Sequence, residues 1–404
     1  MREVAIVSPV RTAVGGFGGT LKNISASDLG SIVIKEILNR TSLDKEKIDE
    51  VILGTGYPNG EEPNIGRLSS LKAGLPIETS GYQLDRRCSS GLQSILNAAM
   101  LIQTGNADVV IAGGTESMSN VEYYVTDARW GGRLGSMTLH DRLNRARVTI
   151  APEDRFGLIE GGMIETAENV AIQYAISRED SDSYALRSHQ KAVTATKEGK
   201  FKEEIVPVSI PQRKGDPIIF EQDEGPRATT SPEILAKLRP LMKGGQVTPG
   251  NASSQNDAAS ACLVVASDKL DELGLEPMGY LVGWASAGVH PAYMGIGPVQ
   301  ACKKLFEKTK LNFNDLDLIE LNEAFAAQVL AVLEGWGITL GEIDDRFNVN
   351  GSGISLGHPV GATGARILTT MLYEMKRRDV KYGLETMCVG GGMGVAAIFE
   401  RRTE

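Results

Sequence analysis

The chain has few cysteines, no long apolar run and no excess of positive charge. Its 404 residues include four cysteines, Cys88, Cys262, Cys302 and Cys388, and no two of them form a C-x-x-C pair. We therefore expect neither a disulfide framework nor a metal site. No apolar run reaches the roughly 18 residues of a membrane span. The net charge of −9 argues against nucleic acid or an anionic membrane as the main partner.

The composition is that of an ordinary soluble globular protein, with 42% hydrophobic and 23% charged residues. The length favours two or three domains over a single core. The first residues, Met-Arg-Glu-Val-Ala-Ile-Val-Ser-Pro, have the pattern of a strand and not that of a signal peptide. Together with the scarcity of cysteine, this predicts a reducing, cytoplasmic location.

Strand-like and helix-like apolar patterns alternate in the first part of the chain. Predicted strands at 3–8, 51–54 and 107–114 alternate with predicted helices at 26–39 and 64–73. This alternation predicts an α/β fold with a largely parallel sheet covered on both faces. From Ser117 to about Pro249, turns, charges and aromatic residues interrupt the pattern. That stretch is either a lid or binding loop, or a surface excursion without a function.

The alternation returns after Asn251 and repeats the first part. Asp-Glu-Val-Ile-Leu-Gly at 49–54 has a counterpart in Asp-Leu-Ile-Glu-Leu-Asn at 317–322, and two predicted strands end in glycine pairs or triplets, at 113–114 and 390–392. We interpret this as two similar α/β halves, 1–118 with 251–272 and 273–404, around an inserted loop domain at 119–250. The interface between the halves is the expected place for an active site.

Cys88 precedes one of the predicted helices. Leu92, Ile95, Leu96 and Ala99 follow it at the spacing of a helix with one buried face. A cysteine at such a helix start faces free N–H groups and the positive end of the helix dipole, and both favour the thiolate. The alternative is a small buried hydrophobic residue, as most free cysteines are.

Three further residues in the second half could take part in chemistry. Asn322 follows a predicted strand, His358 lies in a glycine-dense loop before a helix, and Cys388 ends a strand before a glycine turn. If the halves pack about a pseudo-two-fold axis, all three share a cleft with Cys88. A free cysteine is mostly protonated at neutral pH, so a histidine that accepts its proton would make it a nucleophile for acyl transfer.

Four motifs in this order resemble those of the thiolases, the acetyl-CoA acetyltransferase group in particular. They are Cys-Ser-Ser-Gly-Leu-Gln from Cys88, Asn-Glu-Ala-Phe from Asn322, Gly-His-Pro-Val-Gly-Ala-Thr-Gly-Ala-Arg around His358, and Cys-Val-Gly-Gly-Gly-Met-Gly from Cys388. The resemblance covers essentially the whole chain. It implies the thiolase fold, in which two α/β halves form a five-layered αβαβα core with an inserted loop domain.

The resemblance also implies a role for each of these residues. Cys88 would be the acylated nucleophile, His358 its activating base and Cys388 the general acid/base. Asn322 would hold a water that completes a first oxyanion hole, and the N–H groups of Cys88 and Gly390 would form a second one. The implied reaction is condensation of two acetyl-CoA to acetoacetyl-CoA and CoA, or the reverse thiolysis of a 3-ketoacyl-CoA. Coenzyme A would be a substrate and no other cofactor is needed; a homodimer or homotetramer is expected.

The resemblance places the CoA contacts around the insertion. The expected residues are Ser253, Ala324, Phe325, Met163 and Met294, for which ordinary core packing is the alternative. Two positions depart from the family: Gly162 stands where short-chain members often have histidine, and Pro249 where alanine is common. Gly162 predicts extra room for the acyl group, and hence longer or branched chains.

Three other functions remain as alternatives. A 3-ketoacyl-CoA thiolase of fatty-acid β-oxidation would use the same residues on longer chains. A decarboxylating ketoacyl synthase would pair its cysteine with two histidines, whereas the corresponding places here hold Asn322 and Cys388 beside His358 alone. A non-catalytic acyl-CoA- or lipid-binding protein would be expected to lack at least one of the four motifs, and all four are present.

Overall fold

Helices and strands alternate along residues 1–156 and 159–402, which are the residues that the computed structural model describes. The principal strands are β1 (Val4–Thr12), β2 (Glu50–Gly54), β3 (Ser80–Leu84), β4 (Val109–Ser117), β5 (Asn256–Ala266), β6 (Pro277–Gly288), β7 (Leu318–Leu321), β8 (Tyr382–Val389) and β9 (Met393–Glu400). The longer helices are α1 (Ala26–Thr41), α2 (Ile65–Ala73), α3 (Ser90–Gln103), α4 (Arg142–Val148), α5 (Gly162–Gln173), α6 (Arg178–Lys197), α7 (Gly297–Thr309), α8 (Ala326–Trp336) and α9 (Thr363–Arg378). Shorter helices are Glu153–Phe156, Pro232–Ala236, Leu270–Leu273, Leu340–Ile343 and Gly353–Leu356.

The strand order repeats itself about the centre of the sheet. The order is β7-β8-β9-β6-β1-β5-β4-β2-β3, and the short strands Gly15–Gly16 and Ile205–Val206 pair with β5 and β1. The run β1-β5-β4-β2 of the first half is therefore matched by β6-β9-β8-β7 of the second, and β1 pairs with β6 where the halves meet. In the place of β3 the second half has one isolated parallel bridge, between Ile319 and Phe347. This order confirms the two similar halves.

The prediction of a largely parallel sheet is wrong, because the sheet is mixed. Parallel pairs are β2/β3, β2/β4 and β7/β8. The pairs β1/β5, β1/β6, β4/β5, β6/β9 and β8/β9 are antiparallel. The reason is that β8 returns as β9 through the tight turn at Gly390–Gly392, without the crossover helix that a parallel neighbour needs. In the first half, β5 takes the same place beside β4 after the insertion.

The predicted five layers are confirmed by three separate apolar cores. The first lies between α1, α2 and one face of the first half's strands, and includes Leu29, Val33 and Val51. The second surrounds α3 and α9, which contact each other between the two halves. The third packs α7 and α8 on the far face of the second half, and includes Leu305 and Val332. The Cys88 helix, α3, is therefore a central helix covered on both sides.

Buried charges attach the insertion to the core. Arg11 on β1 is fully buried, and its guanidinium contacts Glu204 at 2.7 Å and Asp223 at 2.7 Å. Removal of Arg11 would leave two buried carboxylates without their cation, which is costly. The segment is therefore fixed to β1 and is not a loose excursion. Within the described ranges, no helix is long and apolar enough to cross a membrane.

Candidate active site

Cys88 lies in a tight turn at the start of α3. The 3-10 turn Arg87–Ser89 leads directly into the helix. Arg87 has a φ of +46°, in the left-handed region that residues with a side chain seldom adopt. The Ser90 hydroxyl holds the turn, because it accepts from the Arg86 N–H at 2.8 Å and donates to the Arg87 carbonyl at 2.7 Å. In this turn the half-buried Cys88 thiol faces a cavity.

The surroundings of Cys88 keep it protonated at rest. Burial raises the pKa of the thiol, while the backbone N–H groups of Gly390 and of Cys88, together with the charge of Arg87, act in the opposite direction. The thiolate expected from the helix start is therefore outweighed by burial, and the thiol needs a base. The two N–H groups beside the sulfur are those that the resemblance assigns to an oxyanion hole.

His358 faces the same cavity from the second half. Its backbone N–H donates to Asn256 Oδ1 at 2.8 Å, and its Nδ1 lies 2.6 Å from Thr363 Oγ1. Burial, followed by the positive charges of Arg366 and Arg147, lowers the pKa of His358 to about 3. The imidazole is therefore neutral at neutral pH and can accept a proton.

Asn322 and Cys388 lie behind the cavity wall. Asn322 Nδ2 is 3.5 Å from His358 Nε2, and its buried Oδ1 has no partner among the described residues. A buried oxygen without a partner is a natural site for an ordered water. Cys388 is fully buried at the end of β8, and its pKa is raised by burial first and then by the negative charge of a Cys88 thiolate. The two thiols are thus close enough to influence each other electrostatically.

The cavity has a volume of about 410 Å³ and is lined by both halves and by the insertion. Besides Cys88, His358 and Gly390, its walls include every residue predicted to contact CoA, namely Met163, Ser253, Met294, Ala324 and Phe325. The Ser253 N–H donates to the Ala324 carbonyl at 2.9 Å, and Ala252 forms a bridge with Phe325. These bonds bring the segment before β5 and the segment after β7 to one wall. The roles of these residues stay predictions.

The extra room expected from Gly162 is not there. Gly162 has a φ of +57°, and a Cβ on it would lie 2.8 Å from the carbonyl oxygen of Arg147. The backbone of α4 occupies the space that a larger residue would need. Its neighbours Gly161 and Met163 line the cavity and Gly162 does not. The residue therefore fits α5 against α4 and does not widen the acyl site.

Sequence reasoning missed two arginines of the insertion and the partners of His358. Arg147 on α4 and Arg227 both line the cavity. Neither stands in a motif, since the insertion has no period that shows which side chains turn inward. Thr363 and Asn256 stand in quoted or neighbouring motifs, but their spacing does not reveal that they hold the imidazole and the backbone of His358.

Glu116 joins the loops on either side of the site. This buried carboxylate accepts from the Gly56 N–H and the Gly361 N–H at 2.7 Å each, from Thr55 Oγ1 at 2.9 Å and from the Tyr57 N–H at 3.2 Å. The Gly56 carbonyl in turn accepts from the guanidinium of Arg87, the residue before Cys88, at 2.7 Å. Gly361 belongs to the loop that carries His358. The nucleophile and its base are thus connected through one side chain.

Two family models match most of the chain. Residues 4–268 match the model described as thiolase, N-terminal domain, and residues 275–401 match thiolase, C-terminal domain. The chain belongs to the thiolase family. It is 48% identical over 402 residues to the acetyl-CoA acetyltransferase of Chromobacterium violaceum, covering 99% of this chain and 100% of the relative. The acetyl-CoA acetyltransferase of Cupriavidus necator is 45% identical and covers 100% of both chains.

A solved structure agrees with the fold. The crystal structure of the Bacillus anthracis acetyl-CoA acetyltransferase superposes with a TM-score of 0.94 at 43% identity, and the match covers 100% of this chain and 99% of the other. The family and the fold class predicted from the four motifs are therefore confirmed.

Replacement of Glu116 by glutamine is expected to destabilise this thiolase and to lower its turnover. An amide has one acceptor oxygen, so two of the four donors around Glu116 would face an NH2 group. Each buried donor without an acceptor costs about 1–3 kcal/mol. Urea denaturation measures the loss, and the matched control is Glu122→Gln, which removes a partly exposed ion pair with Arg142 worth about 1 kcal/mol or less. Equal effects of both variants would contradict the role given to Glu116.

The same variant has a pH signature. Burial raises the pKa of Glu116 to about 7, from an ordinary value of 4.5. The folded protein therefore holds this proton more tightly than the unfolded chain does, and this group lowers the free energy of unfolding as the pH rises from 4.5 to 7. In Glu116→Gln that contribution to the slope is expected to vanish. An unchanged slope in denaturation series across this range would show that Glu116 does not titrate there.

Proposed function

We propose that this chain is an acetyl-CoA C-acetyltransferase that condenses two acetyl-CoA to acetoacetyl-CoA and CoA, and that it also catalyses the reverse thiolysis. The observation that carries the proposal is the meeting of Cys88, His358 and Gly390 in one cavity, with Cys388 directly behind it. The first residue comes from one half and the other three from the second half. A nucleophile, a base, an oxyanion hole and a second thiol are what this reaction requires.

The first half-reaction is acetyl transfer to Cys88. His358 Nε2 takes the thiol proton while Sγ attacks the thioester carbon, and the carbonyl oxygen gains negative charge. The protonated imidazole and the water on Asn322 stabilise that oxygen. The tetrahedral intermediate then expels the CoA thiolate, which takes a proton from Cys388. This step leaves an acetyl-Cys88 thioester, an imidazolium and a Cys388 thiolate.

The second half-reaction makes the carbon–carbon bond. The Cys388 thiolate removes a proton from the methyl carbon of a second acetyl-CoA, and the resulting carbanion attacks the acetyl carbon on Cys88. The N–H groups of Cys88 and Gly390, which lie beside the sulfur, stabilise the new oxyanion. Collapse releases acetoacetyl-CoA, and the Cys88 thiolate recovers its proton from His358. Both thiols and the imidazole are then in their starting states.

The cavity has the mixed character that a CoA thioester requires. Met163, Met294 and Phe325 give an apolar end close to Cys388, where an acyl group can be held. The guanidinium groups of Arg147 and Arg227 bring positive charge to the cavity, although the whole chain is acidic. A local positive group suffices to attract an anionic ligand. Acetyl-CoA and 3-ketoacyl-CoA are therefore the proposed substrates.

The test of the proposal is thiolysis of acetoacetyl-CoA by free CoA, followed by the loss of the enolate absorbance. We expect turnover with acetoacetyl-CoA and slower turnover as the 3-ketoacyl chain grows, because Gly162 opens no extra space. Faster turnover of long chains would instead identify a 3-ketoacyl-CoA thiolase. Absence of activity on every 3-ketoacyl-CoA, with CoA binding retained, would identify a non-catalytic acyl-CoA-binding protein.

We also propose a homo-oligomer, a dimer or a tetramer, in a reducing cytoplasm. All four cysteines are free thiols, which supports a reducing compartment. The segment 123–141 carries an unusual set of exposed apolar side chains: Tyr123, Trp130, Leu134, Met137 and Leu139. Trp130 is 90% and Leu134 100% exposed. Apolar groups clustered in this way mark a contact surface, and a second copy of this chain is its proposed occupant.

Replacement of both Trp130 and Leu134 by serine is expected to shift the protein to a smaller assembly. The substitution removes the largest exposed apolar groups of the segment, while the thiols and His358 lie elsewhere. Light scattering after size exclusion measures the mass at several concentrations. The matched control is Ile219→Ser, which removes a half-exposed apolar residue from the antiparallel pair Val208–Ile210 and Ile218–Phe220. An unchanged mass of the double variant would contradict this contact surface.

A further inference from the structure

His358 has a partner on its Nδ1 side that the reaction scheme does not use. Thr363 is fully buried at the start of α9, and its Oγ1 lies 2.6 Å from His358 Nδ1. The same Oγ1 lies 2.9 Å from the Pro359 carbonyl oxygen and donates to it. A hydroxyl has one hydrogen, and a carbonyl can only accept. Because the hydrogen goes to Pro359, Oγ1 has only lone pairs left for the imidazole, so Nδ1 carries the hydrogen of that contact.

We propose that Thr363 is the positioning residue that holds His358 in the tautomer with hydrogen on Nδ1, so that Nε2 keeps the lone pair that receives the Cys88 proton. The inference rests on the proposed function for the step that it serves, but the tautomer itself does not depend on the substrate. Thr363 acts through His358 and touches no reacting atom. It takes the place that a carboxylate has in triads of the Ser-His-Asp kind.

A neutral partner suits this site better than a carboxylate would. The charged and titratable groups that face His358 are Arg366 from α9, Arg147 from α4 and Cys88 from the start of α3. Both arginines disfavour the imidazolium, and a hydroxyl does little to offset them, whereas a carboxylate would hold the proton on the ring. In the scheme above, the proton has to return from His358 to Cys88 in every cycle. A threonine fixes the ring without making it too strong a base.

The alternative tautomer is disfavoured at both ring nitrogens. With hydrogen on Nε2, the lone pair of Nδ1 would face the lone pairs of Thr363 Oγ1. This repulsion would be avoided only if the hydroxyl hydrogen turned from Pro359 toward Nδ1. The Pro359 carbonyl would lose this donor, although it would still accept from the backbone N–H groups of Ala362 and Thr363, at 2.8 Å and 3.0 Å. The Nε2 hydrogen would also meet the amide hydrogens of Asn322, whose Nδ2 is 3.5 Å away. The Thr363 contact at Nδ1 and the Asn322 contact at Nε2 therefore both favour the tautomer in which Nε2 serves as base.

Thr363→Val and Thr363→Ser separate the hydroxyl from the packing. Valine has nearly the shape of threonine and lacks the oxygen, while serine keeps the oxygen and loses a methyl group. We expect valine to lower the rate of Cys88 alkylation by iodoacetamide at pH 7 by about 10–100-fold, at or below the lower end of the range for loss of a whole general base, because His358 itself remains. We also expect its pH profile to move to higher pH. kcat should fall by a similar factor, the KM for CoA should change little, and serine should restore both readouts.

A measurement on the unmodified enzyme checks the same point without a Thr363 variant, and His358→Gln serves only to assign the resonances. The chain has four histidines, and labelling them with ¹⁵N gives one resonance pair that disappears in His358→Gln. We expect that pair to show a protonated Nδ1 and an unprotonated Nε2 at pH 7. The reverse assignment would overturn the proposal.

The outcomes also distinguish this proposal from the proposed function. If valine slows thiolysis but leaves both the tautomer and the pH profile of alkylation unchanged, Thr363 has a packing role only and the inference fails. If the wild-type enzyme has no thiolase activity while the tautomer and the alkylation profile are as expected, the proposed function fails and the positioning role of Thr363 stands.

Discussion

Replacement of Cys388 by alanine is expected to separate the two half-reactions. Cys88 should still take up label from [¹⁴C]acetyl-CoA, because its base, His358, and the N–H group of Gly390 remain in place. Condensation and thiolysis should fall by about 10³-fold or more, near the upper part of the range for loss of a general acid–base group. Formation and cleavage of the carbon–carbon bond then lack the thiolate that removes or returns the carbon-bound proton.

The electrostatics of the two thiols favour Cys388 as a base in the second step, after it has given its proton to the CoA thiolate in the first. Burial and a Cys88 thiolate both raise the pKa of Cys388. Acetylation turns Cys88 into a thioester that cannot ionise, so a Cys88 thiolate is absent when the second substrate arrives and only burial still raises the pKa of Cys388.

The measurement is a comparison of stoichiometric acetylation with steady-state thiolysis. The matched control is Cys302→Ala, which removes a buried thiol from α7, outside the cavity. That variant should keep both activities. If Cys388→Ala is not acetylated at all, Cys388 is also required for the first step, and the division of roles between the two thiols is wrong.

The parts of the site that the sequence predicts share one property. Cys88, Asn322, His358 and Cys388 each stand next to the end of a strand or helix, beside small residues that allow close backbone approach. Each of these residues therefore belongs to a compact sequence motif. Four such motifs in order were enough to predict the family, which the family models confirm. The duplication could be predicted as well, because each half repeats the same succession of strand and helix.

The parts that the sequence did not predict depend on contacts between distant segments. Glu116 and Thr363 can be located in the sequence, but their hydrogen-bond partners cannot be predicted from it. Those partners lie in other segments of the chain or depend on how the loops around the site fold. The mixed sheet escaped prediction because the direction of β5 is set after an insertion that carries no periodic signal. The helix start that favours the Cys88 thiolate can be recognised in the sequence, whereas the burial that raises the pKa of the thiol cannot.

The Gly162 prediction failed for a related reason. A small residue suggests empty space only if its neighbours stay where they would otherwise be. Here the left-handed backbone of Gly162 lets α4 approach, and the carbonyl of Arg147 takes the space. The absence of a side chain at Gly162 therefore allows α4 and α5 to pack closely. Glycines also allow close backbone contact where the two halves of the protein meet, next to the loop that carries His358.

Replacement of Gly114 by alanine is expected to disrupt the contact between the halves. A Cβ on Gly114 would overlap the carbonyl oxygen of Gly361, and a Cβ on Gly91 would lie 2.8 Å from the same oxygen. Both glycines belong to the first half, whereas Gly361 is in the loop that carries His358. The backbones meet so closely that no side chain fits between them. Relief of the overlap requires the His358 loop to move away from Cys88.

We expect Gly114→Ala to cost about 1–3 kcal/mol or more of unfolding free energy, as overpacking of a core does. Turnover should fall by about 100-fold, because a displacement of about 1 Å between reacting groups suffices for that. Urea denaturation and thiolysis measure the two effects. Gly341→Ala is the matched control, since a Cβ there meets no atom within 4 Å. If Gly114→Ala lost stability but kept full turnover, the distance between Cys88 and His358 would not depend on the contact between Gly114 and Gly361. If both variants behaved like the wild type, that close contact itself would be wrong.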